Sequence, residues 1–121
     1  MKGLILAALP TAALLIPAPA IAQFATVNDP APGYSSLMGA NYANAEREIR
    51  GANVSAYDPA RAINLGIALA KQGQGDAAAK QFNSVLMEAD VEMVVANGST
   101  VMSHDVARRA LAMLQSGALG R

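Results

Sequence analysis

The side chains able to move protons or hold ions are few, and their spacing limits what they can do. His104 is the single histidine, and it stands beside Asp105. A catalytic or metal-binding imidazole needs further ligands or an orienting carboxylate cluster, and the 121-residue chain has no cysteine and no second histidine. His104 therefore reads as a polar residue facing solvent near a helix terminus. Ser55, Ser84, Ser99 and Ser103 lack the Gly-x-Ser-x-Gly setting of an activated nucleophile. Gly73-Gln74-Gly75-Asp76 puts two glycines before a helix, as a phosphate loop does. It lacks the preceding strand, the third glycine and the Lys-Ser/Thr pair, and reads as a helix connector. Glu46 and Glu48 lie among Arg47 and Arg50, as solvated charges on a helix surface. Asn53-Val54-Ser55 and Asn97-Gly98-Ser99 match the glycosylation sequon, which matters only in a eukaryotic secretory pathway. Met87, Met93, Met102 and Met113 are scattered in the manner of core filler rather than of metal ligands. The inventory predicts no catalytic residue, no metal site and no cofactor, and so no enzyme.

The chain opens with a segment of different character. Met1-Lys2 gives a short positive start, Gly3 to Ile16 is apolar apart from Thr11, and Pro17 and Pro19 follow. Ala20-Ile21-Ala22 then offers small residues at the positions a signal peptidase reads, so residues 1–22 have the layout of a cleaved secretory leader. The alternative is an uncleaved anchor, since Gly3 to Ala22 is long enough to span a bilayer. Either way the expected location is periplasmic or secreted, with membrane contact only through a retained leader. Without residues 1–22, eight basic residues face nine acidic ones. A near-neutral chain lacks the basic field of a nucleic-acid binder. With no cysteine, packing alone must stabilise one small domain.

The elements that would position any site are mainly helical. Residues 23–36 include Asn28-Asp29-Pro30-Ala31-Pro32-Gly33, which predicts a flexible lead-in. From Leu37 to Ala52, Leu37, Ala40, Ala45, Ile49 and Ala52 recur at helical spacing, predicting a helix over about 39–52 that ends with Gly51 or Asn53 left-handed. Glu46 and Arg50 form an i,i+4 pair worth ~0.3 kcal/mol. Asp58-Pro59 is an N-cap followed by proline at the first helical position. The next helix carries Ala62, Ile63, Leu65, Gly66, Ile67, Leu69 and Ala70, apolar round more than half its circumference, and so belongs between neighbours on two sides. Gly73-Gln74-Gly75 ends it. Asp76 opens another helix, with Ala78, Ala79, Phe82, Val85, Leu86 and Ala89 as its buried stripe. Asn97-Gly98 between β-branched runs predicts a hairpin, 92–96 with 99–102, closed by a two-residue type I′ turn. Ser103 would cap a last helix over 104–116 with Val106, Ala107, Ala110, Leu111 and Leu114 inward; Gly117 ends it and 118–121 should fray.

Segment 59–92 has the 34-residue length of a tetratricopeptide repeat and resembles one by position. Asn64-Leu65-Gly66 is similar to that family's Asn-Leu-Gly, Leu69 stands where a large residue fills the helix contact, and Gly73 matches the turn glycine. Ala78 matches the small residue at the helix crossing, and Phe82 the aromatic four positions on. Ala62 replaces the usual Trp, Val85 the usual Ala and Asp90 the usual Pro. The wider layout resembles small exported bacterial proteins of this family. The expected fold is therefore mostly α: a tetratricopeptide-like antiparallel helix pair, capping helices on either side, and one short inserted β-hairpin at about 92–102, within a domain spanning 37–117.

The resemblance implies an exported, non-enzymatic scaffold that binds a protein or peptide. The first helix of such a repeat lines a groove, and that face would carry Ala60, Ile63, Asn64, Ile67 and Lys71. Equally, Asn64 follows the general consensus, and Ile63 and Ile67 then pack on a neighbouring helix. A separate expectation is a self-associating envelope protein, a homo-oligomer paired through the edge of the 92–102 hairpin.

Overall fold

The computed structural model of this chain describes residues 32–94 and 98–119. The expected leader at 1–22, the first part of the lead-in and the Asn97 corner of the hairpin lie outside them. The described residues form a mostly helical domain, in the order α1 (Tyr34–Met38), α2 (Tyr42–Gly51), α3 (Pro59–Lys71), α4 (Gly75–Met87), β1 (Glu92–Val94), β2 (Thr100–Met102) and α5 (Ser103–Gln115). None of these helices is long and apolar enough to cross a membrane.

The core is built on α3 and α4. Asp58 Oδ2 accepts the Arg61 amide at 2.8 Å and Pro59 opens α3 without an amide to satisfy, as the sequence predicts. Every residue from Ala62 to Ala70 is buried, because α2, α4 and α5 all pack on this helix. Gln72-Gly73-Gln74 then reverses the chain, with Gly73 at φ +81° and the Gln74 amide donating to Leu69 O at 2.9 Å. Helix α4 folds back antiparallel. A Cβ added at Gly66 would stand 2.8 Å from Phe82 Cζ, so the missing side chain is what admits the ring, itself 0 % exposed. Ala78 is fully buried beside it in the sequence order expected for a close crossing. Ala89, expected in the buried stripe, is exposed, since α4 stops at Met87.

The segment before the pair departs from expectation. In place of a helix from about 39, the chain forms α1 and α2 with a break between them, where Ala40 takes φ +59° and is exposed. Asn41 Oδ1 caps α2 by accepting the Asn44 amide at 3.3 Å. The lead-in thus becomes helical by Tyr34, because Leu37 has a core to enter and is 5 % exposed. Gly33, at φ +79°, lets the chain lie close against Ile49. At the other end of α2, Gly51 is still helical and Ala52 is extended, so neither Gly51 nor Asn53 turns left-handed.

The hairpin exists in a different register. Met93 pairs with Val101 and Val94 with Thr100. A two-residue turn at Asn97-Gly98 continued in regular pairing would set Val94 against Val101, one residue away from the register observed. The observed register puts Met93, 5 % exposed, opposite the partly buried Val101 on the face turned to the core. The Asn-Gly pair signals a reversal, and burial of Met93 chooses the alignment.

Two further corrections concern α5. Ser103 does not cap it; it is the first helical residue, and the preceding Met102 makes no side-chain cap bond. Asp90 does the capping from a distance, with Oδ1 accepting the His104 amide at 2.9 Å and the Ser103 hydroxyl at 3.3 Å. After α5, Gly117 at φ +84° turns the chain back, the Leu119 amide donates to Met113 O at 3.1 Å, and Leu119 is fully buried. The expected fraying therefore does not begin at 118.

Candidate partner-binding surface

The residues expected to line a groove do share a face. Ala60, Ile63, Asn64, Ile67 and Lys71 recur at three- and four-residue steps along α3. That face is not open. Ala60 is 6 % exposed, Ile63 and Asn64 0 % and Ile67 2 %, while Lys71 in the last turn is half-buried. The structure brings the five together and then covers four of them with the chain itself, in agreement with the reading in which Ile63 and Ile67 pack on neighbours.

Asn64 is the odd member of this set. Among the described residues nothing bonds its Oδ1 or Nδ2, and Arg61 Nε, one turn earlier, is also buried without a partner among them. A buried amide left in that state costs about 1–3 kcal/mol. Asn64, Ala68 and Gln72 form one i,i+4 row along α3. Its last member bonds both Ala68 O and Glu46 Oε1 of α2, each at 3.0 Å, so this row faces α2.

The surface chemistry along α2 is a network of ion pairs and amides. Arg50 Nε lies 2.8 Å from Glu46 Oε2, the pair expected from sequence. The hydrogen bonds from Arg50 and then Gln72 hold the Glu46 carboxyl below its ordinary range, against a smaller opposing effect of burial. Ser36 Oγ donates to Glu48 at 2.9 Å, Asn44 Nδ2 donates to both, and Arg47 bonds Asn44 Oδ1. These bonds tie α1 to α2.

The one place where Ser, His and Asp meet is the start of α5. Its geometry is that of a clamp. His104 Nε2 lies 2.8 Å from Glu88 O, while Ser103 Oγ accepts the Val91 amide at 3.0 Å and donates to Asp90. The imidazole engages a backbone carbonyl, and the carboxylate is occupied by a helix terminus. Asp105 pairs instead with Arg108 at 3.3 Å. His104 is thus half-buried and bonded rather than facing solvent. Among the described residues no group of three His, Cys, Asp or Glu side chains could hold a metal ion.

Sequence reasoning passed over the apolar side chains left outside. Met87 is 82 % exposed at the end of α4, and Val91, Val94 and Met102 follow at 39, 38 and 36 %. Glu92 faces Met102 across the ladder and Val94 faces Thr100, so the outer face of the hairpin carries Val94 and Met102 with a single charge. Strand alternation about Met93 is the signal that marks these positions as the outward set. The Glu88–His104 and Asp90–His104 bonds tie the segment after α4 to the start of α5.

No protein-family model, curated protein or solved structure matches this chain.

Proposed function

We propose that this protein is an exported, non-enzymatic helical scaffold of tetratricopeptide type that binds a protein or peptide partner. The observation supporting a binding role is the exposure of four apolar side chains, Met87 at the end of α4 and Val91, Val94 and Met102 at the hairpin. Exposed apolar side chains grouped in one place are typical of interaction sites, whereas scattered ones are ordinary. In this reading Ala60, Ile63, Asn64 and Ile67 maintain the pair, and the hairpin end with its neighbour Met87 meets the partner. The leader sequence supports a periplasmic or secreted location, which mass spectrometry would test by finding a mature chain beginning at Gln23.

The binding test is a pull-down from an envelope fraction with the wild-type chain and with Met87→Glu and Val94→Lys. Both substitutions fall on exposed side chains and leave the fold intact. The expected result is a specific partner captured by the wild type and lost from the variants. No specific partner, or equal capture by all three, rejects this surface.

The hairpin favours a second reading, self-association. The sheet has two strands, so each offers one edge with no neighbour among the described residues. That reading requires a dimer or larger species in light scattering that Val94→Lys or Val101→Lys dissociates. A monomer throughout the micromolar range removes it.

A further inference from the structure

The polar atoms least explained by the fold lie between α2 and α3. Asn64 is wholly enclosed, and neither end of its amide has a partner among the described residues. Arg61 Nε is enclosed and unpartnered in the same helix. Residues three apart on a helix share a face with Cβ atoms about 5–6 Å apart. Both sets of unpartnered atoms thus arise from one face of α3. Their immediate sequence neighbours on that face, Ala60 and Ala68, are buried, small and offer no side-chain hydrogen bond.

We propose that Arg61 Nε and the Asn64 amide form the binding site for internal water, held in the seam between α2 and α3. The match is chemical. Asn64 presents two donor hydrogens and an acceptor, and Arg61 Nε one donor hydrogen. Water both donates and accepts, so it answers both kinds of atom. A small anion would satisfy the donors and be repelled by Asn64 Oδ1; a cation would meet the reverse problem beside a guanidinium. Enclosure also limits size, since a 0 % exposed amide leaves no path for a bulky ligand. Folded proteins hold roughly one buried water per 27 residues, each bonded to about three otherwise unsatisfied groups. A water accepting from Arg61 Nε and donating to Asn64 Oδ1 would bridge one turn of α3, with the Asn64 Nδ2 hydrogens turned to a second water.

Nuclear magnetic resonance of the full-length, nitrogen-15-labelled chain tests this by magnetisation transfer from water to side-chain nitrogens. The expected result is a cross-peak from water to the Asn64 side-chain amide with the sign of a long-lived, bound molecule. Arg61→Met, which keeps the aliphatic stem and removes Nε, should weaken that cross-peak at least twofold while the backbone spectrum is retained. In Asn64→Leu the water contact to Arg61 Nε–H should be lost as well. A dry amide, protected from solvent and showing no water cross-peak in the wild type, overturns the proposal. So does a cross-peak unchanged by Arg61→Met, which would place the water elsewhere. Should Asn64→Leu fail to fold, the wild-type and Arg61→Met spectra still decide the matter.

Discussion

Gly66→Ala places a methyl group where the helix pair is tightest, and two opposing effects can be compared. Alanine favours a helix interior over glycine by about 1 kcal/mol, and Gly66 sits mid-helix. Against this, the new Cβ would meet Phe82 at Cζ, at 2.8 Å, and also at two neighbouring ring atoms. Phe82 is 0 % exposed, so the ring has no solvent to retreat into. Overpacking a core of this kind costs about 1–3 kcal/mol, and more where the neighbour is a rigid ring. The expected net effect is a loss of about 1–2 kcal/mol. For a domain of this size that is a fall in Tm of about 4–8 °C per kcal/mol. Gly51→Ala is the matched control, because a Cβ there meets nothing within 4 Å, and it should be neutral or stabilising by up to about 1 kcal/mol. Urea unfolding followed by circular dichroism, with both variants and with Phe82→Leu, measures these effects. The Gly66→Ala and Phe82→Leu losses should fail to add, since the smaller side chain makes room for the methyl group. A Gly66→Ala protein as stable as the wild type or more so would mean that the ring does not lie against α3, and the account of the paired helices would fail.

Other contacts give shorter tests. Asp90→Ala removes the acceptor that caps α5, and should cost about 1–2 kcal/mol and speed hydrogen exchange at the His104 amide more than at Ala110; unchanged exchange at His104 would refute the cap. Leu119→Ala should cost about 2–4 kcal/mol in chemical denaturation, although it lies past the last helix, because its side chain is fully buried. Glu46 has a lowered pKa when folded, so its contribution to stability is present above the ordinary carboxylate range and is lost as the pH falls through the lowered value. Glu46→Gln should lower stability at neutral pH by less than about 1 kcal/mol, since Arg50 is half exposed, and leave stability below the lowered pKa nearly unchanged, so that the acid limb flattens by the same amount.

What could be read in the residues was local. Asp58-Pro59 marks the start of α3, Gly73 its reversal, and the four-residue step from Ala78 to Phe82 sets the buried side of α4. Each of these acts on the chain within about one helical turn. Three of the misses depend on contacts that the local pattern does not contain. Asp90 reaches across the hairpin to cap α5, so the nearby Ser103 is the wrong candidate. Burial of Met93 against the core fixes a ladder that the Asn-Gly signal alone misaligns by one residue. Leu119 looks like loose end until the turn at Gly117 returns it to the interior. The groove residues show the same limit. Periodicity places Ile63, Asn64 and Ile67 correctly on one side of α3, but whether that side meets solvent depends on which other helices come to rest there.

The clamp at the start of α5 also makes the 92–102 excursion separable from the bundle. The chain leaves at Asp90-Val91 and re-enters at Ser103-His104, and paired bonds between Val91 and Ser103 close that neck from both sides. Ser103-His104 opens α5 and Asp90-Val91 lies just past the end of α4 at Met87, so a graft of another loop, or a change of its length, need not disturb α4 or α5. Met93 and its partner Val101, the inward pair of the ladder, would have to be replaced by an equivalent plug. The domain thus offers a ready insertion point, where diversity can accumulate on a frame that stays the same.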